Sequence, residues 1–241
     1  MKTYLFALLF GAAVLPATAD AQIKLPKILS KGGSSSGVSE DEAGQGIKEA
    51  LTQGVANAVL NLNKTDGFFG SEVYKMFLPP DAQKIEKTLR SAGMGAQVDK
   101  AVLAINRGAE DAVAFAKPIF VDAIKEMTLT DALKLLTGPK DGATQYFKEK
   151  TTNKLVDAFK PSVQTSLDKV EATKYYTDIV TTYNKLPTTF NKINPDLTSY
   201  VVGKAVDALF DQVAKEEATI RANPMGQASA LLQKVFGSVK K

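Results

Sequence analysis

The chain is 241 residues long, carries 30 basic and 26 acidic residues for a formal net charge of +4, and contains no histidine, no cysteine and no tryptophan. Those absences exclude Ser-His and Cys-His couples, zinc sites of the usual ligand set, haem ligation by His or Cys, disulfides and thiol-borne lipid anchors; carboxylate pairs, lysine bases and oxygen-ligand sites for calcium or magnesium remain. The mild positive excess favours solubility and weak attraction to anionic envelope surfaces, and lacks the concentrated basic stripe that nucleic-acid binding needs.

The first residues place Lys2 before an apolar run from Leu5 to Leu15, then Pro16 and the small residues Ala17, Ala19 and Ala21. This is the pattern of a secretory signal peptide cut after Ala19 or Ala21, so residues 1–21 are expected to be removed and the remainder exported as a soluble protein that is not a lipoprotein. The run is shorter than the ~20 residues a bilayer span requires, and no later segment is apolar enough to be a transmembrane anchor. Residues 22–38, with "SKGGSSSG" at 30–37, read as a flexible tether, residues 39–237 as one domain, and residues 238–241 as a basic tail.

Helical periodicity dominates the chain beyond the tether. Ser39 to Glu42 forms a capping-box start, and Ile47, Leu51, Val55, Val59 and Leu62 recur on one face of the first helix. The segment "NKTDGFFGSEVYKMFLP" at 63–79 then concentrates Phe68, Phe69, Tyr74 and Phe77 in a loop, with Asp66, Gly67 and Gly70 supplying turns. It is expected to fold back over the first helix and bury its rings; if Phe68 and Phe69 both faced solvent, the loop would be a contact surface.

Pro79-Pro80-Asp81 introduces a second helix with Ile85 and Leu89 inward, stopped by Gly93 and Gly95. A longer helix carries Val98, Val102, Ile105, Ala109, Ala112, Val113 and Ala116, and Pro118 predicts a kink or break in it. Thr128 to Asp131 caps a short helix "DALKLL" ended at Gly138. "GATQYFKEK" predicts one short helix and residues 153–170 another, with Leu155, Val156, Phe159, Val163 and Leu167 on its core face and Pro161 within it. The shared Lys-Pro steps at 117–118 and 160–161 hint at a duplicated helical hairpin. Tyr175 to Leu186 predicts a further helix. Asn194 to Asp196 caps the cleanest amphipathic one, with Leu197, Val201, Ala205, Leu209, Val213 and Ile220 in a stripe, and "QASALLQKVFG" predicts the last. The fold class is all-α: a single irregular multi-helix domain of about eight to ten helices.

Charged clusters supply the candidate site residues. Arg107 lies within a turn of Glu110 and Asp111, with Lys117 beside the expected kink. This reads either as a polar pocket or as an ion-pair ladder on a helix face, the latter worth ~0.3–0.5 kcal/mol per pair. Lys215, Glu216, Glu217 and Arg221 have the same two readings. Asp207 and Asp211, one turn apart, have the spacing to chelate a metal or divide acid and base roles. The glycine patterns "GMGAQ" and "GPKDGAT" fit neither a dinucleotide turn nor a phosphate loop.

The ordered blocks "GIKEALTQGVANAV", "KTDGFFG", "KIEKTLRSAG", "NRGAEDAVAFAKPIFVDAIKEM", "DALKLLTG", "ATQYFKEKT", "FKPSV", "YNKLP" and "DLTSYVVGKAVDALFDQVAKEEATIRANP" resemble a family of exported bacterial proteins, the domain of unknown function 4197. The resemblance covers nearly all of the chain beyond the leader. It implies a mostly helical protein in the periplasm of a Gram-negative bacterium and brings no catalytic residues with it.

The leading expectation is a non-enzymatic periplasmic binding or interaction module for an apolar small molecule, a lipid or an envelope protein, with no cofactor, no metal and no nucleic-acid partner. Its candidate binding residues are Phe68, Phe69, Arg107, Glu110, Lys117, Glu217 and Arg221. The alternatives are a carboxylate-dependent enzyme on cell-wall or polysaccharide material, drawing on Glu110, Glu217, Asp207 and Asp211, and a purely structural envelope protein.

Overall fold

A computed structural model describes residues 39–91, 93, 95–185 and 192–223. The expected signal peptide, tether, last helix and basic tail lie outside the described residues. Among the described residues there are eight α-helices, no strand, and one 3-10 turn at Pro80–Ala82. The helices are α1 (Glu40–Asn63), α2 (Gln83–Ser91), α3 (Gly95–Val113), α4 (Ala116–Glu126), α5 (Leu129–Thr137), α6 (Gly142–Asp168), α7 (Ala172–Asn184) and α8 (Leu197–Ala222). They form a single all-α domain.

Local chemistry explains where these helices begin. The Ser39 Oγ accepts from the Glu42 N–H at 3.2 Å while Glu42 Oε2 accepts from the Ser39 N–H at 2.9 Å, a complete capping box for α1. Thr128 and Asp131 repeat the device on α5. At the start of α8 the Asp196 carboxylate accepts from the Ser199 N–H at 2.8 Å and its hydroxyl at 2.6 Å. The Ser199 side chain and then its backbone hold the Asp196 carboxyl below the usual carboxylate range. A depressed folded-state pKa means that this cap stabilises fully above the unfolded value and fades as pH falls through the folded one. Asp196→Ala is therefore expected to cost about 1 kcal/mol at neutral pH in urea unfolding, with the gap to the parent closing in strong acid.

Two prolines act differently. Pro118 falls in the first turn of α4, where its missing N–H has no intrahelical acceptor to lose, and the break lies just before it. There Ala114 and Phe115 donate to the carbonyls of Asp111 and Ala112, tightening the end of α3. Pro161, by contrast, sits inside α6, which runs unbroken for 27 residues where two helices were expected. At the expected boundary Thr151 and Thr152 donate their hydroxyls back to the Phe147 and Lys148 carbonyls, both at 2.6 Å, which satisfies them within the helix, and packing carries the helix through. Phe147, Thr151, Leu155, Phe159, Val163 and Leu167 then continue one buried stripe at four-residue spacing. The two Lys-Pro steps thus occupy unlike places, at the opening of one helix and the interior of another.

At the centre α3 packs on α6, α6 on α8 and α1 on α8, with α4 closing against α1 and α6. Phe120 of α4 meets Phe147 and Phe210 edge-on at 5.0 and 6.1 Å between centroids. Gly108 lets α3 approach α6 closely, since a Cβ there would stand 3.1 Å from Ser166 Cβ and 3.4 Å from Val163 Cα. A satellite cluster of Ala43, Ile47, Met127, Ala132, Leu133 and Leu136 fixes α5 against the first turns of α1. The stripes expected on α1, α3 and α8 are the ones facing inward; Leu51 and Ile85 are half-buried, and the Leu89 side chain lies outside the described residues.

Candidate functional site: a groove beside the aromatic loop

The aromatic loop is folded back and tied down. Asp66 adopts a left-handed conformation at φ 66°. Next to it Gly67 lies so close to the end of α1 that a Cβ would meet the Leu62 carbonyl oxygen at 2.3 Å. Gly67→Ala is expected to cost about 1–3 kcal/mol in thermal unfolding, because the turn must lift off the helix to admit a methyl group. The turn drives Phe68 fully into the core, while Phe69 is half-buried, with the Lys75 ammonium 4.2 Å and the Arg107 guanidinium 5.7 Å from its ring centroid.

One face of α3 supplies the fastenings. Buried Glu110 accepts on Oε1 from the backbone N–H groups of Phe68 and Phe69, each at 3.1 Å, and on Oε2 from Arg107. Arg107 also reaches Asp66 Oδ1 at 2.8 Å. Asn63 donates to the Glu110 carbonyl at 2.8 Å. A turn away, fully buried Asn106 pairs with the Met76 backbone in both directions, accepting from its N–H and donating to its carbonyl at 2.9 Å each. The cluster read as a polar pocket or an ion-pair ladder is thus a tertiary clamp on the loop, built on the buried Glu110 carboxylate.

Glu217 makes a second clamp. Its carboxylate accepts from the N–H groups of Ala143 (3.1 Å) and Thr144 (2.9 Å) and from the Thr144 hydroxyl (2.8 Å), so α8 caps the N-terminus of α6, where Asp141 makes no side-chain cap. Arg221 holds the same carboxylate from Nε and Nη2 and donates to the Leu135 carbonyl. Lys117 is exposed on α4 and makes no ion pair among the described residues. The two clusters do not merge into one pocket, and Phe68, Glu110 and Glu217 are committed to internal contacts.

Solvent-facing groups converge instead between the loop segment 73–78 and α8, in an open groove of about 480 Å³. Tyr200, Lys204, Asp207 and Asp211 line it from α8; Val73, Tyr74 and Phe77 line it from the loop. Val73 and Phe77 are 72% and 52% exposed. Tyr74 donates to Asp211 Oδ2 at 2.6 Å, Lys215 donates to the Tyr74 hydroxyl at 2.6 Å, and Lys215 stands 2.9 Å from the same Asp211 oxygen. The Tyr74 bond, then the Lys215 bond, hold the Asp211 carboxyl below its ordinary range, while burial, followed by the bond to Asp211, pushes the Tyr74 phenol up. The smaller apolar cleft between α1, α5 and α8 encloses only about 40 Å³.

The family described as "Protein of unknown function (DUF4197)" matches residues 37–237. The chain belongs to this family. No curated protein and no solved structure matches it.

Within this DUF4197 domain, charge spacing on helices is enough to single out Arg107, Glu110, Glu217 and Arg221, yet their partners on other elements are not visible in it. Sequence reasoning missed Asn106, although a signal for it exists: an amide one turn from Val102, on a stripe otherwise made of Val102, Ile105 and Ala109. Tyr200 and Lys204 have none, because each is an ordinary residue on the outer side of an amphipathic helix. Among the described residues no group of acidic side chains is arranged to hold a metal ion, and no helix is long and apolar enough to cross a membrane.

Proposed function

We propose that this DUF4197 protein is an exported, non-enzymatic binding module of the bacterial envelope, and that its ligand lies in the groove between residues 73–78 and α8. One observation carries this reading. The loop is clamped to α3 by buried hydrogen bonds through Phe68, Phe69 and Met76, so Phe77 and Val73 are held out toward solvent by a rigid backbone. The two side chains meet at one groove, and that groove exceeds the ~300 Å³ at which ligand pockets usually begin. The signal-peptide pattern at residues 1–21 supports export.

A carboxylate enzyme would draw on Asp207 and Asp211, which share this groove. Acid–base work by such a pair asks for one carboxyl raised enough to carry a proton at neutral pH. Asp211 is moved the other way by Tyr74 and Lys215, which suits a fixed anionic acceptor.

The test is native mass spectrometry and solvent extraction of protein recovered from the periplasm. A co-purifying mass that Phe77→Ala reduces is expected, and N-terminal sequencing should begin at Asp20 or Gln22. A cytoplasmic protein with its leader intact would sink the localisation; a clean mass with no extractable ligand and no captured partner would sink the binding reading.

A further inference from the structure

We propose that the groove beside the aromatic loop is a glycan site, which takes a linear oligosaccharide along α8; this rests on the reading of the protein as a binding module. Tyr200, Lys204, Asp207 and Asp211 succeed one another at four-, three- and four-residue spacing, so they form a single stripe along the helix. At ~1.5 Å per residue that stripe is about 16 Å long, room for several linked rings. Phe77 faces it from the loop.

The chemistry of the groove is mixed: Tyr200 begins the stripe and one ammonium and two carboxylates follow it, while the Tyr74 and Phe77 rings stand on the loop side. A sugar chain offers the matching mixture, because ring C–H faces pack on aromatic side chains while hydroxyls both donate to carboxylates and accept from an ammonium. Lys204 and Asp207 are exposed and make no hydrogen bond or ion pair with other described residues, which leaves their polar atoms available. At one end the Asp211–Tyr74–Lys215 cluster stiffens the wall before any ligand arrives.

Other occupants fit less well. An acyl chain needs a concave, predominantly apolar pocket that buries most of its surface, whereas this groove is open and half polar. An anionic surface would meet Asp207 and Asp211 as well as the lysines, and like charges brought together oppose binding.

The experiment screens the mature full-length protein against a panel of linear oligosaccharides of neutral and N-acetylated hexoses, then titrates the best binder by calorimetry. Phosphatidylglycerol–phosphatidylcholine vesicles serve as the parallel probe. The expected result is saturable oligosaccharide binding that Phe77→Ala and Asp207→Ala each weaken by about tenfold or more with unchanged melting, equivalent to ~1.4 kcal/mol. Oligosaccharide binding that neither substitution alters overturns the site. Vesicle binding without any oligosaccharide binding overturns the glycan assignment and leaves the binding module standing, whereas silence from both probes together with a ligand-free native mass removes both.

Discussion

Glu217→Ala is expected to lower the free energy of unfolding by about 3–5 kcal/mol, the range for stripping one partner from a buried, hydrogen-bonded ion pair. The side chain is buried and accepts from two backbone N–H groups of α6, from the Thr144 hydroxyl and twice from Arg221. Without it the first turn of α6 loses its cap and the Arg221 guanidinium, itself largely covered, loses its counter-charge. Glu217→Gln should recover only part of the loss. Both carboxylate oxygens face donors, so either orientation of the amide turns an NH₂ group toward another N–H. Urea unfolding measures the change, and amide exchange at Ala143 and Thr144 locates it. A loss below ~1 kcal/mol, the scale of an exposed pair, would show that the contact is worth no more than a surface ladder.

Glu110→Ala should be of similar size, about 3–5 kcal/mol, with a different signature. Its carboxylate is the common acceptor for Phe68, Phe69 and Arg107, so the substitution leaves two loop N–H groups without their acceptor and the guanidinium with Asp66 alone. Local opening of residues 66–72 is expected to precede global unfolding, and limited proteolysis in that stretch should accelerate. Asn106 holds Met76 independently, so the far end of the loop should stay protected. Cleavage spreading evenly through residues 64–79 would contradict the two-point fastening. Because the groove wall depends on the loop, Glu110→Ala should also weaken any ligand that Phe77 contacts.

Helix existence and inward faces were legible along the chain, and the reason is local. Ile47, Val55, Val59 and Leu62 on α1, or Leu197, Val201, Ala205 and Leu209 on α8, repeat at a spacing that only one helical face satisfies. Capping boxes at Ser39 and Thr128 are likewise chemistry between residues three apart. Continuity through α6 was harder to see. Polar Thr151 and Thr152 look like a boundary until their hydroxyls are seen bonding back into the helix, and Pro161 is tolerated inside an element whose length rests on packing.

The candidate site belongs to the second category. Glu110 and Glu217 stand out in the sequence as charges beside an arginine, and nothing local tells whether such a charge is solvated or buried against a backbone more than 40 or 70 residues away. The sequence by itself determined an all-α domain with no imidazole or thiol chemistry available to it. Only the tertiary structure decided that the aromatic loop puts Phe68 into the core and holds Phe77 out, and that Tyr74 meets Asp211 and Lys215 across 137 and 141 residues. Periodicity records which side of a helix avoids water; which helices and loops then face each other depends on contacts between residues far apart in the chain.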